Sequence, residues 1–149
     1  MTRAPWPLLL AFGAACASRG NVRLEPAGEA SQAFGELDVR SLAQVEHATT
    51  QGWELAVRLE LEWRGQERSR IDLGRALVRV DGRAWEPCRP PPDQAREELL
   101  VTLDPGASRA VVLRCEDIAE PRSGLELRFP ATNTGMSSGT IELSFLGVR

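Results

Sequence analysis

The sequence contains no lysine and no tyrosine, and His47 is its only histidine. Its 18 basic residues are all arginine, and 21 acidic residues outnumber them, which leaves a formal net charge of −3. Proteins that bind nucleic acid usually present a basic face that releases counterions from phosphates. The acidic balance therefore argues against nucleic acid as a partner.

Signatures of common catalytic sites are also missing. No Gly-rich phosphate loop opens a helix, no D-x-D-x-D calcium loop occurs, and no nucleophile elbow joins a strand to a helix. Neighbouring carboxylates such as Glu97 and Glu98 fit solvated turns better than acid/base chemistry. The sequence predicts a non-catalytic protein without a cofactor; the alternative is a small hydrolase or ligand-binding protein with a pocket near His47.

Long hydrophobic runs are absent except near the start of the chain. Arg3 precedes an apolar stretch over residues 4–12, and small residues at 13–15 follow before Cys16. As a helix this stretch would reach roughly 18 Å, short of the ~30 Å hydrocarbon core of a bilayer. Residues 1–15 therefore have the order of a secretory signal peptide and not of a permanent transmembrane helix.

The small residues directly before Cys16 resemble the lipobox of bacterial lipoproteins. The resemblance implies that Cys16 is acylated and becomes the anchored N-terminus, which makes the membrane a partner through lipid. The residue directly after the anchor is Ala17. An Asp at this position would resemble a signal for retention in the inner membrane, so its absence favours the outer membrane. Gly13 stands where lipoboxes usually carry an aliphatic residue, and cleavage after Ala15 or Ala17 without lipid is the alternative.

Only three cysteines are present. If Cys16 carries lipid, Cys88 and Cys115 remain in an oxidising compartment, where one disulfide between them is expected. The alternative is a pair of buried free thiols. A metal site is not predicted, since no further cysteine or nearby histidine completes a tetrahedral set.

From residue 34 onward the chain shows the period-two pattern of β-strands. The segment 53–63 alternates strictly over eleven residues, and shorter alternating runs occur at 37–45, 125–129 and 141–145. Trp53 and Trp63 share the apolar face of the long segment, so both are predicted to pack in the core. Turn signals every 8 to 12 residues predict an antiparallel β-sandwich of seven or eight strands over residues 34–149.

Several turns can be predicted in more detail. Asp81-Gly82 suits a two-residue type I′ hairpin, with Val78 across from Trp85. Residues 104–107 carry Pro and Gly where a type II turn needs them, which predicts a second hairpin. Gly74 marks a possible bulge, because the apolar phase shifts around it.

The segment before the domain is polar and small. Residues 16–33 are predicted to be a lipid-anchored linker, with a possible edge strand around Val22 to Leu24.

The order of these features is similar to the telokin-like, immunoglobulin-fold domains of bacterial lipoproteins. A long alternating strand is followed by D-G-x-x-W, then L-x-P-G before an apolar strand, then two final strands, over roughly residues 35–149. The resemblance implies an immunoglobulin-like sandwich and an accessory role in the cell envelope, and it transfers no site residues. The chain departs from antibody-type domains, since it has no tyrosine corner and no Trp between Cys88 and Cys115.

These features predict a lipid-tethered binding or accessory module whose partner is another envelope protein. The contact is expected through a sheet edge or through the loops at residues 87–97 and 131–139.

Overall fold

The computed structural model describes residues 21–26, 36–48, 52–133 and 138–148, and these residues form an all-β structure. Two 3₁₀ helices, Leu73–Arg75 and Arg96–Leu99, are the only helices in these ranges. The sequence predicted seven or eight strands, and the described residues contain ten, because the alternation did not distinguish several short strands. The strands are β1 (Asn21–Pro26), β2 (Leu37–Ala48), β3 (Gly52–Trp63), β4 (Ser69–Asp72), β5 (Leu77–Val80), β6 (Glu86–Pro87), β7 (Leu100–Leu103), β8 (Ser108–Ile118), β9 (Gly124–Asn133) and β10 (Ser138–Val148).

The strands form one curled antiparallel sheet in the order β6-β5-β9-β10-β1-β2-β3-β8, with β4 pairing to both β9 and β7. The two ends of this order meet, because the N–H of Glu116 on β8 donates to the carbonyl of Arg89, just after β6, at 2.8 Å. The sheet therefore curls around its own apolar face, and the predicted all-β antiparallel class is confirmed.

A disulfide between Cys88 and Cys115 closes the sheet at the same place. The two Cα atoms lie 5.0 Å apart, and both side chains are buried. The predicted pair is thus joined, and the bond links the strands at opposite ends of the sheet order.

The core lies on the inner face of the curled sheet, where strand alternation directs the apolar side chains. The Trp63 ring is fully enclosed, and its indole N–H donates to the carbonyl of Glu67. Trp53 is half-buried and packs against the same core, as predicted for both tryptophans. The largest enclosed side chains are Trp63, Phe129, Phe145, Leu24, Leu37, Leu55, Leu59, Leu61, Ile71, Leu73, Leu99 and Leu103.

Strand β1 lies in the interior of the sheet, between β2 and β10. The sequence predicted at most an edge strand here, within the linker 16–33. Residues 21–26 of that linker instead form a strand that is paired on both sides. Its second neighbour is β10, which is distant along the sequence.

The hairpin between β5 and β6 has the predicted turn and a different register. Asp81 and Gly82 have φ angles of +51° and +71°, as a type I′ turn requires. Val78 pairs with Glu86, however, and not with Trp85. One extra residue lies between the turn and the ladder, and Trp85 packs against arginine side chains instead of pairing with β5.

The second predicted hairpin is wrong. Residues 104–107 do turn, and Gly106 has a φ of +80°. The strands on either side do not pair with each other, because β7 bonds to β4 and β8 bonds to β3. The turn carries the chain from one part of the curled sheet to another.

The shift in apolar phase around Gly74 comes from a 3₁₀ turn and not from a bulge. Leu73–Arg75 form this turn, and the carboxylate of Asp72 accepts a hydrogen bond from the N–H of Gly74 at 3.1 Å.

Candidate functional site

Some of the residues that the sequence singled out for function lie outside the described part of the chain. Cys16, the signal peptide over residues 1–15 and the side chain of His47 all belong to this group. The backbone of His47 lies near the end of β2 and pairs with Trp53. A groove among the described residues meets β2 at residues 38–41, ~20 Å away along the strand. The alternative with a pocket near His47 therefore stays a prediction.

The described residues offer little catalytic chemistry. They contain no cluster of three or more His, Cys, Asp or Glu side chains suited to a metal ion. Residues 135–139 match the pattern G-x-S-x-G, although the sequence predicted no nucleophile elbow. The match falls where the chain passes from β9 to β10, so it links two strands. A nucleophile elbow joins a strand to a helix. Among the described helices, none has the length and apolar character needed to cross a bilayer.

The first predicted binding loop, residues 87–97, is folded onto the edge of β8. The Gln94 side chain donates to the carbonyl of Val112 at 2.6 Å and accepts from the N–H of Arg114 at 3.3 Å. These are the bonds that a neighbouring strand would make, so the amide group of Gln94 replaces a strand at this point. The loop covers the second half of the β8 edge.

Arg114 holds the loop in place through two carboxylates. Its Nε donates to Glu54 at 2.7 Å and its Nη1 donates to Asp93 at 2.9 Å. The hydrogen bond from Arg114 lowers the pKa of the Asp93 carboxyl, and the bonds to Glu54 and Asp93 raise the pKa of Arg114. Loop 87–97 is therefore a fixed part of the fold.

The first half of the β8 edge is open. Arg114 and Glu116 turn their N–H groups away from β3, and alternate residues of a strand turn their backbone groups the same way. Val112, Ala110 and Ser108 therefore turn theirs outward as well. Strand β8 pairs only with β3 apart from the bridge at Glu116, so within the described residues no strand covers positions 108–111.

The side chains along this open edge leave room for another chain. Ser108 and Ala110 are small and exposed, and Val112 is 45% exposed. The edge borders a groove of about 1010 Å³ that crosses β3 and β2. Its charged lining consists of Asp38, Arg40, Glu60, Glu62 and Arg109.

The groove carries more negative than positive side chains, and part of that charge is already paired. Arg64 forms ion pairs with Asp38 and Glu62, and Arg58 forms one with Glu60. Arg40 and Arg109 have no ion-pair partner among the described residues. These exposed pairs contribute little to stability and leave the groove able to exchange partners.

The second predicted binding loop, residues 131–139, largely belongs to strands. Residues 131–133 end β9 and residues 138–139 begin β10, while 134–137 lie outside the described residues. The sequence predicted contact through a sheet edge without identifying which one. Alternation marks the faces of a strand, and it carries no signal for the side on which a strand lacks a neighbour.

Comparison with protein-family models, with curated proteins and with solved structures gives no match for this chain. Any function proposed for it therefore rests on its own sequence and geometry, and the main geometric feature is the open edge of β8 beside a wide groove.

Proposed function

We propose that this chain is a lipid-anchored, non-catalytic accessory module of the bacterial cell envelope that binds an extended segment of a partner protein along β8. In this proposal the leader is removed before Cys16, acyl chains on Cys16 hold the protein in the outer membrane, and the β domain meets the partner. The lipobox-like residues before Cys16 support the anchor, and the open strand edge supports the binding role.

The finer fold assignment is part of the same proposal. We assign the domain to immunoglobulin-like sandwiches of the telokin-like lipoprotein type. The long alternating strand β3, the antiparallel pairing throughout and the core enclosed by the curled sheet support this assignment. A disulfide that joins distant parts of the sheet, here Cys88 to Cys115, fits an exported domain.

The observation that carries the binding role is the open edge at residues 108–112. A strand added there would satisfy the outward N–H and C=O groups of Ser108 and Ala110 and the outward N–H of Val112. At a net contribution of about 1 kcal/mol per hydrogen bond, five such bonds would provide about 5 kcal/mol before the entropic cost of association. Backbone pairing would supply affinity, and side-chain contacts in the neighbouring groove would supply specificity.

The anchor and the edge are compatible in reach. Strand β1 begins at Asn21, five residues after Cys16. Five extended residues span at most roughly 18 Å, so a lipid on Cys16 would hold the domain close to the bilayer surface. A partner in the same membrane would then be within reach of β8.

The test places a photo-crosslinking amino acid at position 110 in the full chain in intact cells. We expect a reproducible protein adduct that disappears when Ser108 is replaced by Pro. Proline removes one outward N–H donor, and an edge strand tolerates it where that N–H faces solvent. Ser108→Ala keeps the N–H and is the matched control, and a crosslinker at exposed Arg83, in the turn between β5 and β6, gives the background.

Two results would contradict the proposal. One is the absence of any adduct above the Arg83 background. The other is an adduct that Ser108→Pro leaves unchanged while the urea midpoint of that variant matches the parent. Cys16→Ser in the same cells should release the protein from the membrane fraction and remove the acyl mass. Retention of Cys16→Ser in the membrane fraction would contradict the lipid anchor. The binding role of the β8 edge would then be decided by the crosslinked adducts alone.

A further inference from the structure

A second surface feature lies on the outer side of β5 and β9, where two arginines contact one tryptophan. The Cζ atom of Arg79 lies 4.7 Å from the centroid of the Trp85 ring, and that of Arg128 lies 4.2 Å from it. All three side chains are half-buried. The indole ring is thus a surface on which both guanidinium groups rest.

The two arginines differ in their charge partners. Arg79 is neutralised, because its Nε donates to Glu126 at 2.9 Å and its Nη2 forms a closer ion pair with the same oxygen. Arg128 has no hydrogen bond or ion pair to any described residue. Its register partner on β10 is Glu142, yet no ion pair joins the two side chains. Arg128 lies against Trp85 instead.

The cluster therefore presents donors with almost no acceptors. The guanidinium of Arg128 carries five N–H donors, and the indole N–H of Trp85 has no hydrogen-bond partner among the described residues. Arg79, Arg128 and Glu126 together carry one unit of positive charge, and Glu142 beside Arg128 forms no ion pair with it, so a single bound carboxylate would pair the remaining guanidinium. A planar guanidinium binds a carboxylate through two parallel hydrogen bonds, and stacking on Trp85 holds the group in one plane beforehand.

The surroundings favour a carboxylate attached to a peptide. Leu77 is the register partner of both Arg128 and Pro87, so these residues share the outer face. Pro130 lies two residues beyond Arg128 on the same face. Leu77 and Pro130 are half-buried and Pro87 is exposed. They provide an apolar border against which the carbon atoms next to a bound carboxylate would pack.

We propose that Arg128 and Trp85 form a binding site for a peptide carboxylate, from a chain terminus or an acidic side chain. Arg128 is the binding residue, and Trp85 and the Arg79–Glu126 pair position it. The site is on β5, β6 and β9, away from the open edge of β8. It does not depend on the proposed envelope function and is judged by separate variants.

The test follows the Arg128 Nε–H and Trp85 indole N–H signals of the full chain, labelled with ¹⁵N in detergent micelles, by NMR. The probes are acetyl-trialanine with a free carboxylate, its C-terminal amide, an acetylated Ala-Glu-Ala amide, and inorganic phosphate. We expect saturable shifts with at least one of the two carboxylate peptides and none with the trialanine amide. Which of them binds tells a chain terminus from an acidic side chain.

Variants separate binding from packing. Arg128→Gln should weaken carboxylate binding about tenfold, because a charge-assisted hydrogen-bonded pair is lost. Arg128→Lys should weaken it less, because lysine keeps the positive charge and loses only the pair of parallel N–H donors. Arg96→Gln, at an exposed arginine outside the site, should bind as the parent does. Equal shifts with the amide peptide, or parental affinity in Arg128→Gln, would overturn the proposal. Tighter binding of phosphate than of either carboxylate would also overturn it.

Discussion

Asp81 joins the β5–β6 turn to the segment that leads into β9, and replacing it tests how that contact stabilises the fold. Its Oδ1 accepts from the N–H groups of Ser123 at 2.7 Å, Gly124 at 3.0 Å and Arg122 at 3.1 Å. The Ser123 hydroxyl donates to the same oxygen at 2.9 Å. One carboxylate therefore accepts hydrogen bonds from three consecutive backbone N–H groups.

These contacts change the pKa of Asp81 in a direction that can be measured. Burial raises the pKa, and the hydrogen bonds from Gly124, Ser123 and Arg122 outweigh it and bring the pKa well below its usual value. A lowered native pKa means that the ionised form stabilises the fold. That stability is fully present above the unfolded pKa, about 3.9, and is lost as the pH falls through the lower native pKa.

We expect Asp81→Asn to lower the free energy of unfolding by about 2 kcal/mol at pH 7. The amide oxygen can still accept, but bonds to a neutral acceptor are about half as strong as bonds to a carboxylate. Asn also tolerates the positive φ angle at this position, so backbone strain does not contribute. Asp117→Asn is the matched control, because Asp117 is exposed, has a φ of +55° and has no described hydrogen bond from its side chain.

Urea unfolding between pH 7 and pH 3 provides the measurement. The difference between the parent and Asp81→Asn should be constant down to about pH 5 and shrink below about pH 4. Asp117→Asn should stay within about 0.5 kcal/mol of the parent at pH 7. The reasoning is refuted if Asp81→Asn matches Asp117→Asn, or if its deficit does not change as the pH falls.

Two further substitutions test the closure of the sheet and the packing of the core. Replacing Cys88 and Cys115 together by Ala removes a link across 27 residues and should cost about 3.5 kcal/mol in urea unfolding, by the loop-entropy relation; an unchanged midpoint would show that the link does not constrain the unfolded chain. Gly65→Ala would place a Cβ atom in the space occupied by Cζ2 of Trp63, so the enclosed ring must shift. A loss of about 2 kcal/mol in thermal unfolding is expected from such overpacking, and parental stability would contradict the described fit.

The strands could be predicted from the sequence because their burial is a local property. Side chains alternate between the two faces of any strand, so the segment 53–63 indicates its own buried face without knowledge of its neighbours. The structure confirms this for Leu55, Val57, Leu59, Leu61 and Trp63, all of which are enclosed.

The pairing of the strands was harder to predict than their buried faces, because pairing depends on residues that are distant along the chain. The turn at 104–107 has the expected conformation, yet its two strands bond to β4 and β3. The open edge of β8 is bounded by Gln94, whose contact with Val112 spans 18 residues. Arg79 and Glu126 are 47 residues apart, and Trp85 entered the sequence analysis only as a hairpin position. Both candidate binding surfaces therefore depend on long-range contacts that alternation does not encode.

The pairing of β1 with β10 determines when the fold can be completed. Arg23 pairs with Val148, a separation of 125 residues, and β1 gains its second neighbour only from the last strand. Until β10 is in place, one side of β1 and one side of β9 have unpaired backbone groups that are open to wrong strand pairing. Loss of the final ten residues would reopen the middle of the sheet and not merely shorten its border.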